Sequence, residues 1–258
     1  MENREDASWQ VHRESGNPRR KQALISGASR GIGSAAARVL AAGGYDLYLT
    51  CRHQIGQLQQ LKEELEKEFG ICCRAVSCNM GDDRQVSRLF EEIEYLDVLV
   101  NNAGISYMGL LADMKPEEWQ EVMEVNLNSI FYTCRQAIPL MVRQQSGRIL
   151  NISSVWGCRG ASMEVAYSTA KGGMNSFTKA LAKELAPSHI SVNALACGVI
   201  DTEMNRMLGE EEREFLKEEI PACRFGTPEE AAEMILQLVE APEYLTGQII
   251  CLDGGWQV

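Results

Sequence analysis

Residues Gln22 to Gly33 read QALISGASRGIG, and this stretch decides the fold. Gln22-Ala23-Leu24-Ile25-Ser26 is a short apolar run of strand length. It passes directly into a turn carrying Gly27, Gly31 and Gly33, then into an Ala-rich helix reaching about Ala42. A glycine-rich turn between a strand and a helix N-terminus suits a phosphate. Glycine lets the backbone approach, and the free N–H groups and helix dipole favour an anion. Gly27, Ser29, Arg30, Gly31, Ile32 and Gly33 are therefore the candidate residues around a dinucleotide's phosphates.

The next strand, Asp46 to Thr50, ends in Cys51-Arg52. A dinucleotide-binding fold places a carboxylate at that tip when it grips the ribose of NAD. None is present, and Arg52 joins Arg30 from the turn. Two guanidiniums suit a 2′-phosphate, so the expected cofactor is NADP(H), with solvated arginines as the plain alternative. Further tips follow at Asn79-Met80 and at Asn101-Asn102-Ala103-Gly104, where small residues and amides allow a ligand close. Strands and helices alternate along the whole chain. The pattern predicts an α/β, single-domain, Rossmann-like doubly wound parallel sheet of about seven strands. It spans residues 21–258 behind a polar, flexible tail of residues 1–20. Ligands bind at the C-terminal ends of such strands, so the glycine-rich turn, Asn101, Ser154 and the Cys197-Gly198 turn should meet in one crevice.

The second informative stretch is Asn151 to Lys171, NISSVWGCRGASMEVAYSTAK. A buried strand ends at Ser153 and Ser154, and a helix over Ala166–Ala186 puts Tyr167 and Lys171 one turn apart on one face. A neighbouring ammonium favours the phenolate, so the Tyr167 pKa should fall towards neutrality. Ser154 can then hold a carbonyl oxygen while Tyr167 protonates it, general acid chemistry without a metal. Tyr and Lys at this spacing also occur on solvated helices, so the surroundings decide. A long helix runs from Pro116 through Trp119 to about Ala137, and a second run follows from Ile138 to Gln145. Asn126 falls inside the first, a poor helix-interior residue whose presence hints at function. The acidic segment to Glu219 reads as a mobile lid.

Composition narrows the class. Net charge is −11 over 258 residues, against nucleic-acid binding. No apolar run has the length of a membrane span, and no signal peptide is expected. Nine scattered cysteines without a CxxC pair fit a reduced cytoplasm better than disulfides or zinc, and the three histidines form no ligand cluster, so no metal is expected.

Taken together, Gly27-x-x-x-Gly31-x-Gly33, Asn101-Asn102-Ala103-Gly104, Asn126, Ser154 and Tyr167-x-x-x-Lys171 resemble the short-chain dehydrogenase/reductase family over roughly Lys21 to Trp256. The resemblance implies that Tyr167 is the acid/base. Lys171 lowers its pKa and binds the nicotinamide ribose, Ser154 polarises the carbonyl, and Asn126 holds a water in a proton relay. It further implies cofactor contacts from Asn79, Met80, Asn102, Ala103, Gly104, Gly198, Ile200 and Thr202, and a homotetramer packed through the helices Trp119–Gln145 and Ala166–Ala186. Three positions depart from the family pattern. Ser26 stands for Thr, Asn79 for an adenine-binding Asp, and Cys197 for a Pro, which should loosen the backbone before Gly198.

Within the family, Ile152-Ser153-Ser154-Val155, Leu181–Ala186 and Asp253-Gly254-Gly255 resemble bacterial 3-oxoacyl-carrier-protein reductases, implying an acyl thioester substrate. The basic patch an acidic carrier protein needs is thin, with Arg143, Arg148 and His189 near the helix ends. Ser154-Val155-Trp156-Gly157 and Glu164 resemble firmicute reductases of a 5-aminopentanone group on a lysine of elongation factor P. There Trp156 and Glu164 would face a protein-linked cationic ketone, with a solvated loop acid as the alternative for Glu164. A small-molecule ketone or hydroxysteroid is a third option. A non-catalytic NADP(H)-sensing regulator is a reading of another class, opposed by the intact Asn126, Ser154, Tyr167 and Lys171.

Overall fold

The computed structural model describes residues 19–205 and 209–256. Seven parallel strands form one sheet in the order β3-β2-β1-β4-β5-β6-β7. They are β1 (Gln22–Ile25), β2 (Asp46–Cys51), β3 (Cys73–Ser77), β4 (Val98–Asn101), β5 (Gly147–Ser154), β6 (Ile190–Cys197) and β7 (Ile249–Leu252). Strand order reverses between β1 and β4, and a crevice opens at the carboxyl ends there.

Side chains alternate across each strand, so each feeds two apolar layers. Ala23 and Ile25, Val98 and Val100, and Leu150 and Ile152 face one layer, covered by α1 (Gly31–Ala42), α2 (Ile55–Phe69) and α9 (Pro228–Glu240). Leu24, Leu99 and Ile149 face the other, under α3 (Asp83–Glu91), α5 (Ser129–Gln144) and α7 (Val165–Leu185). Burial on both faces is why the central strands β1, β2 and β4 are short apolar runs, while β3 and β7 at the sheet edges are only partly covered.

Helix starts separate structural ends from a binding end. Asp82 caps α3 by accepting from the N–H groups of Arg84 and Gln85 at 2.9 and 3.3 Å. Thr227 and Glu230 cap α9 reciprocally. The N-terminus of α1 has no side-chain cap and no acid in its first turn. Its orphan N–H groups are left facing the crevice, as an anion site requires.

Four expectations change. The helix boundary lies at Asn126, not after Ala137: α4 (Pro116–Met123) passes through a π-helical turn, Glu124–Asn128, into α5. Pro139 sits inside α5 on its exposed side, where the freed carbonyl reaches water. The loosened backbone expected at Cys197 is not found, because β6 pairs with both β5 and β7 through that residue. The segment before Glu219 contains a helix, α8 (Glu210–Glu219), tied back by Arg213 to Asp201 at 2.8 Å; residues 206–208 of the expected lid lie outside the described residues. Of the expected tail, residues 1–18 likewise lie outside. Arg19 and Arg20 do not belong to a tail: Arg19 makes a two-pronged pair with Asp97 at 2.6 and 2.9 Å, and Arg20 donates to the Gly70 carbonyl.

Candidate active site

The glycine-rich turn is held by one amide. Asn102 Nδ2 donates to the carbonyls of Ser26 and Gly27 at 2.9 and 3.0 Å. Ser26 Oγ accepts from the N–H groups of Asn102 and Ala103 at 2.9 and 3.0 Å, so the conservative Ser keeps the hydroxyl that joins β1 to β4. Gly33 is fixed by space: a Cβ there would lie 2.3 Å from the Gly27 carbonyl oxygen and 2.6 Å from Asn102 Nδ2. Thr202 sits over Gly31, its Cγ2 3.3 Å from where a Cβ would be. Gly198 donates to the Leu252 carbonyl and packs against Asp253. Ile200 is buried in a bridge to Gly226. Arg30 is exposed on the turn, Ser29 is half-buried, Ile32 packs against the core, and Gly104 lies beside Asn126 Oδ1 and Lys171 Nζ. This uncapped, close-packed cradle fits a dinucleotide.

At the adenosine end the fit is more particular. Arg30 pairs with Glu203, and Arg52 with Glu121 at 2.8 Å, all at the surface. Each guanidinium lies beside a carboxylate that the sequence reading missed. Asn79 Oδ1 accepts from the Gly81 N–H at 3.2 Å, a local turn. Met80 departs from the expectation: its side chain is buried in the core and its sulfur accepts from the Thr50 hydroxyl, so only its main chain can meet a cofactor.

Ser154 closes β5, and its Oγ accepts from the Trp156 N–H at 3.2 Å. Ser154 also bonds to the side chain of Tyr167, which is partly buried. Lys171 is buried, 5.6 Å from the Tyr167 ring centre, and donates to the Ile152 carbonyl at 2.7 Å. The expected fall in the Tyr167 pKa is overturned. Burial pushes it up, the charges of Glu164 and Cys197 add to that, and the Ser154 bond opposes them. Burial also pushes the pKa of Lys171 down, to about 8.

The Asn126 amide is already engaged. Nδ2 donates to the Ile105 and Val122 carbonyls at 2.9 Å each, and Oδ1 accepts from the Ile105 N–H at 3.1 Å. Its side chain clasps the β4 loop to the π-turn, leaving one Oδ1 lone pair for any water. Below the site runs a buried polar chain: Thr133 donates to Asn101, Asn101 to Asn151, and Asn151 to Thr178. Sequence reasoning took Asn151 as strand and passed over Thr133, Thr178 and Asn175. The available signal was polar residues placed within otherwise apolar elements.

A four-residue helix that the sequence did not announce, α6 (Trp156–Arg159), follows Ser154. Its Gly157 lies flat on α7, where a Cβ would come within 2.6 Å of the Lys171 main chain. Trp156 packs edge-on against Trp256, ring centres 4.9 Å apart, and bonds to the half-buried Glu164 carboxylate. Burial pushes the Glu164 pKa up, and the Trp156 bond opposes it. The Trp256 contact is one that the sequence reading missed. Among the described residues no group of His, Cys, Asp and Glu could hold a metal ion, and no helix is long and apolar enough to cross a membrane.

A dinucleotide cradle at the strand-order reversal, beside a Ser-Tyr-Lys set, defines a nicotinamide-dependent oxidoreductase. The short chain dehydrogenase family model matches residues 21–213, and the chain belongs to the short-chain dehydrogenase/reductase family. It is 41% identical to the 3-oxoacyl-[acyl-carrier-protein] reductase FabG of Aquifex aeolicus over 240 residues, 91% of this chain and 96% of that one. It is 40% identical to the uncharacterized oxidoreductase YmfI of Bacillus subtilis, covering 92% and 98%. A crystal structure of a putative NAD(P)-dependent gluconate 5-dehydrogenase from Beutenbergia cavernae with bound NADP superposes with a TM-score of 0.87 at 31% identity, covering 92% and 96%.

Proposed function

We propose that the protein is an NADPH-dependent reductase of the 3-oxo group of an acyl thioester. One observation carries the reductase chemistry: Ser154 at the tip of β5 is bonded to Tyr167, with Lys171 one turn further on and its Nζ 5.6 Å from the Tyr167 ring centre. The bound dinucleotide supplies a hydride. Gly27, Ser29, Arg30, Gly31, Ile32 and Gly33 would hold its phosphates, with Asn102, Ala103, Gly104, Gly198, Ile200 and Thr202 around it. Arg30 and Arg52 would exchange their pairs with Glu203 and Glu121 for the 2′-phosphate. Asn79 and the Met80 main chain would meet the adenine.

The chain's own residues do the rest. Ser154 Oγ donates to the ketone oxygen and orients it towards Tyr167. Tyr167 gives its phenolic proton to that oxygen as the carbon is reduced. Its raised pKa keeps the phenol protonated, the form a reductase needs at the start of each turnover. Lys171 stabilises the phenolate left behind, and reprotonation passes along Lys171 and the Asn126 region. The relatives named as 3-oxoacyl-carrier-protein reductases support the thioester. A homotetramer through α5 and α7 is supported by Phe131 and Val142 on α5 and Val165 on α7, all exposed. Nine free cysteines support a reducing, cytoplasmic setting.

A second reading has its own observation. Glu164 puts a carboxylate, held by Trp156, beside Tyr167, which suits a cationic amino ketone such as the 5-aminopentanone group on elongation factor P. The thin basic patch agrees, since His189 is paired with Glu243 at 2.9 Å. The test is NADPH oxidation by the purified protein with an acetoacetyl thioester and, in parallel, 5-amino-2-pentanone, each repeated with NADH. Turnover of the thioester with NADPH alone is expected. Turnover of the amino ketone only would select the second reading, and turnover of neither would overturn both.

A further inference from the structure

Two thiols beside the catalytic strand take no part in ketone reduction. Cys158 on α6 and Cys251 on β7 are both free and exposed. Ile249 and Cys251 point to the same side of β7. Ile249 and Cys158 line one surface cleft of about 330 Å³, together with Asn175 and Lys179. Cys251 therefore faces the side of the sheet on which Cys158 lies. The other cysteines differ: Cys51, Cys73, Cys78, Cys134 and Cys197 are buried, Cys72 is half-buried, and exposed Cys223 bonds to the Pro221 carbonyl. Buried thiols in apolar surroundings are inert.

What makes this pair consequential is α6. Its Trp156 N–H holds the Ser154 hydroxyl, and its Gly157 lies against the Lys171 backbone. Asn175 donates to Cys158 Sγ at 3.5 Å, while its Oδ1 accepts from Ser153 at 2.7 Å. Movement of Cys158 is therefore felt at both residues that end β5 and at the lysine beside Tyr167.

We propose that Cys158 and Cys251 form a redox-modification site, at which a hydroperoxide closes a reversible disulfide that ties α6 to β7. Cys158 is the attacking thiol, with Arg159 next to it and Lys179 in its cleft. Its thiolate attacks hydrogen peroxide, the O–O bond breaks, and a sulfenic acid forms as hydroxide leaves and takes up the thiol's proton as water. The Cys251 sulfur then attacks the sulfenic sulfur. The S–S bond forms, the S–O bond breaks, and the oxygen leaves with the Cys251 proton as a second water. The two thiols lose two electrons, and one peroxide becomes two waters. A dithiol reverses the bond by exchange.

The experiment treats the full-length protein with hydrogen peroxide, blocks remaining thiols and maps peptides by mass. The expected result is a linked Cys158–Cys251 peptide pair within one chain, and partial quenching of tryptophan emission from Trp156, both reversed by dithiothreitol. Cys251→Ser should stop at a Cys158 sulfenic acid that dimedone traps, with no linked pair and no reversible quenching. Cys158→Ser should give neither product; both changes are at exposed positions and keep the fold. Links only between chains, a pair involving Cys223 instead, or Cys158 and Cys251 remaining unlinked thiols under peroxide would each overturn the proposal.

Discussion

Gly33→Ala tests the cofactor cradle through a single methyl group. The new Cβ would lie 2.3 Å from the Gly27 carbonyl oxygen, 2.6 Å from Asn102 Nδ2 and 3.0 Å from Ala28 Cα. Two of these three neighbours are backbone and the third is an engaged amide, so none can swing aside. Relief requires the turn to open and Asn102 to release the Ser26 and Gly27 carbonyls. Two neutral hydrogen bonds are worth about 1 kcal/mol each. Overpacking strain adds about 1–3 kcal/mol. The folded state should lose roughly 3–5 kcal/mol in urea unfolding. The part that displaces the turn, about 2 kcal/mol, should weaken NADPH binding roughly 30-fold in a fluorescence titration. Gly56→Ala is the control. That residue lies in the first turn of α2 with nothing within 4 Å of its Cβ position, so alanine should stabilise by about 0.5–1 kcal/mol. Gly33→Ala binding NADPH within about threefold of the parent, at unchanged stability, would refute the account of the turn.

Lys171 carries a pH signature. Burial holds its pKa at about 8 against an ordinary 10.5, so between those values the unfolded chain keeps a proton that the folded chain has released. Stability therefore rises with pH across that window, and the penalty is full below it. Lys171→Met should remove a rise of roughly 3 kcal/mol, read as a flatter dependence of urea unfolding between about pH 8 and 10. The raised Tyr167 acts with opposite sign above its ordinary 10.0. Glu164→Gln removes one charge that holds Tyr167 up, so the alkaline limb of the kcat profile should move to lower pH; an unmoved limb would separate the two residues. Arg52→Ala should weaken NADPH about tenfold and leave NADH unchanged, and equal losses for both would place Arg52 away from the 2′-phosphate.

The fold was legible because both faces of the central sheet are buried, which writes β1, β2 and β4 as short apolar runs. The phosphate cradle was legible for the same reason of crowding: Gly27 and Gly33 are where backbones touch. Asn126 announced itself as a misfit in a helix, and the structure answers with a π-turn. What that side chain does was not legible, because its partners Ile105 and Val122 are ordinary apolar residues contributing backbone carbonyls. Helix α6 was hidden because its four residues have no period to read. The Tyr167 pKa was misjudged because spacing gives proximity to Lys171 but not the depth of burial that outweighs it. Glu203, Glu121 and Trp256 come from distant segments, and nothing local pairs them with Arg30, Arg52 and Trp156.

The most direct test of the central claim follows deuterium from NADPH labelled at its transferable hydride. Product formed from an acetoacetyl thioester by the parent protein should carry deuterium on the new carbinol carbon. Tyr167→Phe should bind NADPH as before but lower transfer by about 10²- to 10⁴-fold. Transfer by Tyr167→Phe at the parental rate would contradict the claim that Tyr167 delivers the proton.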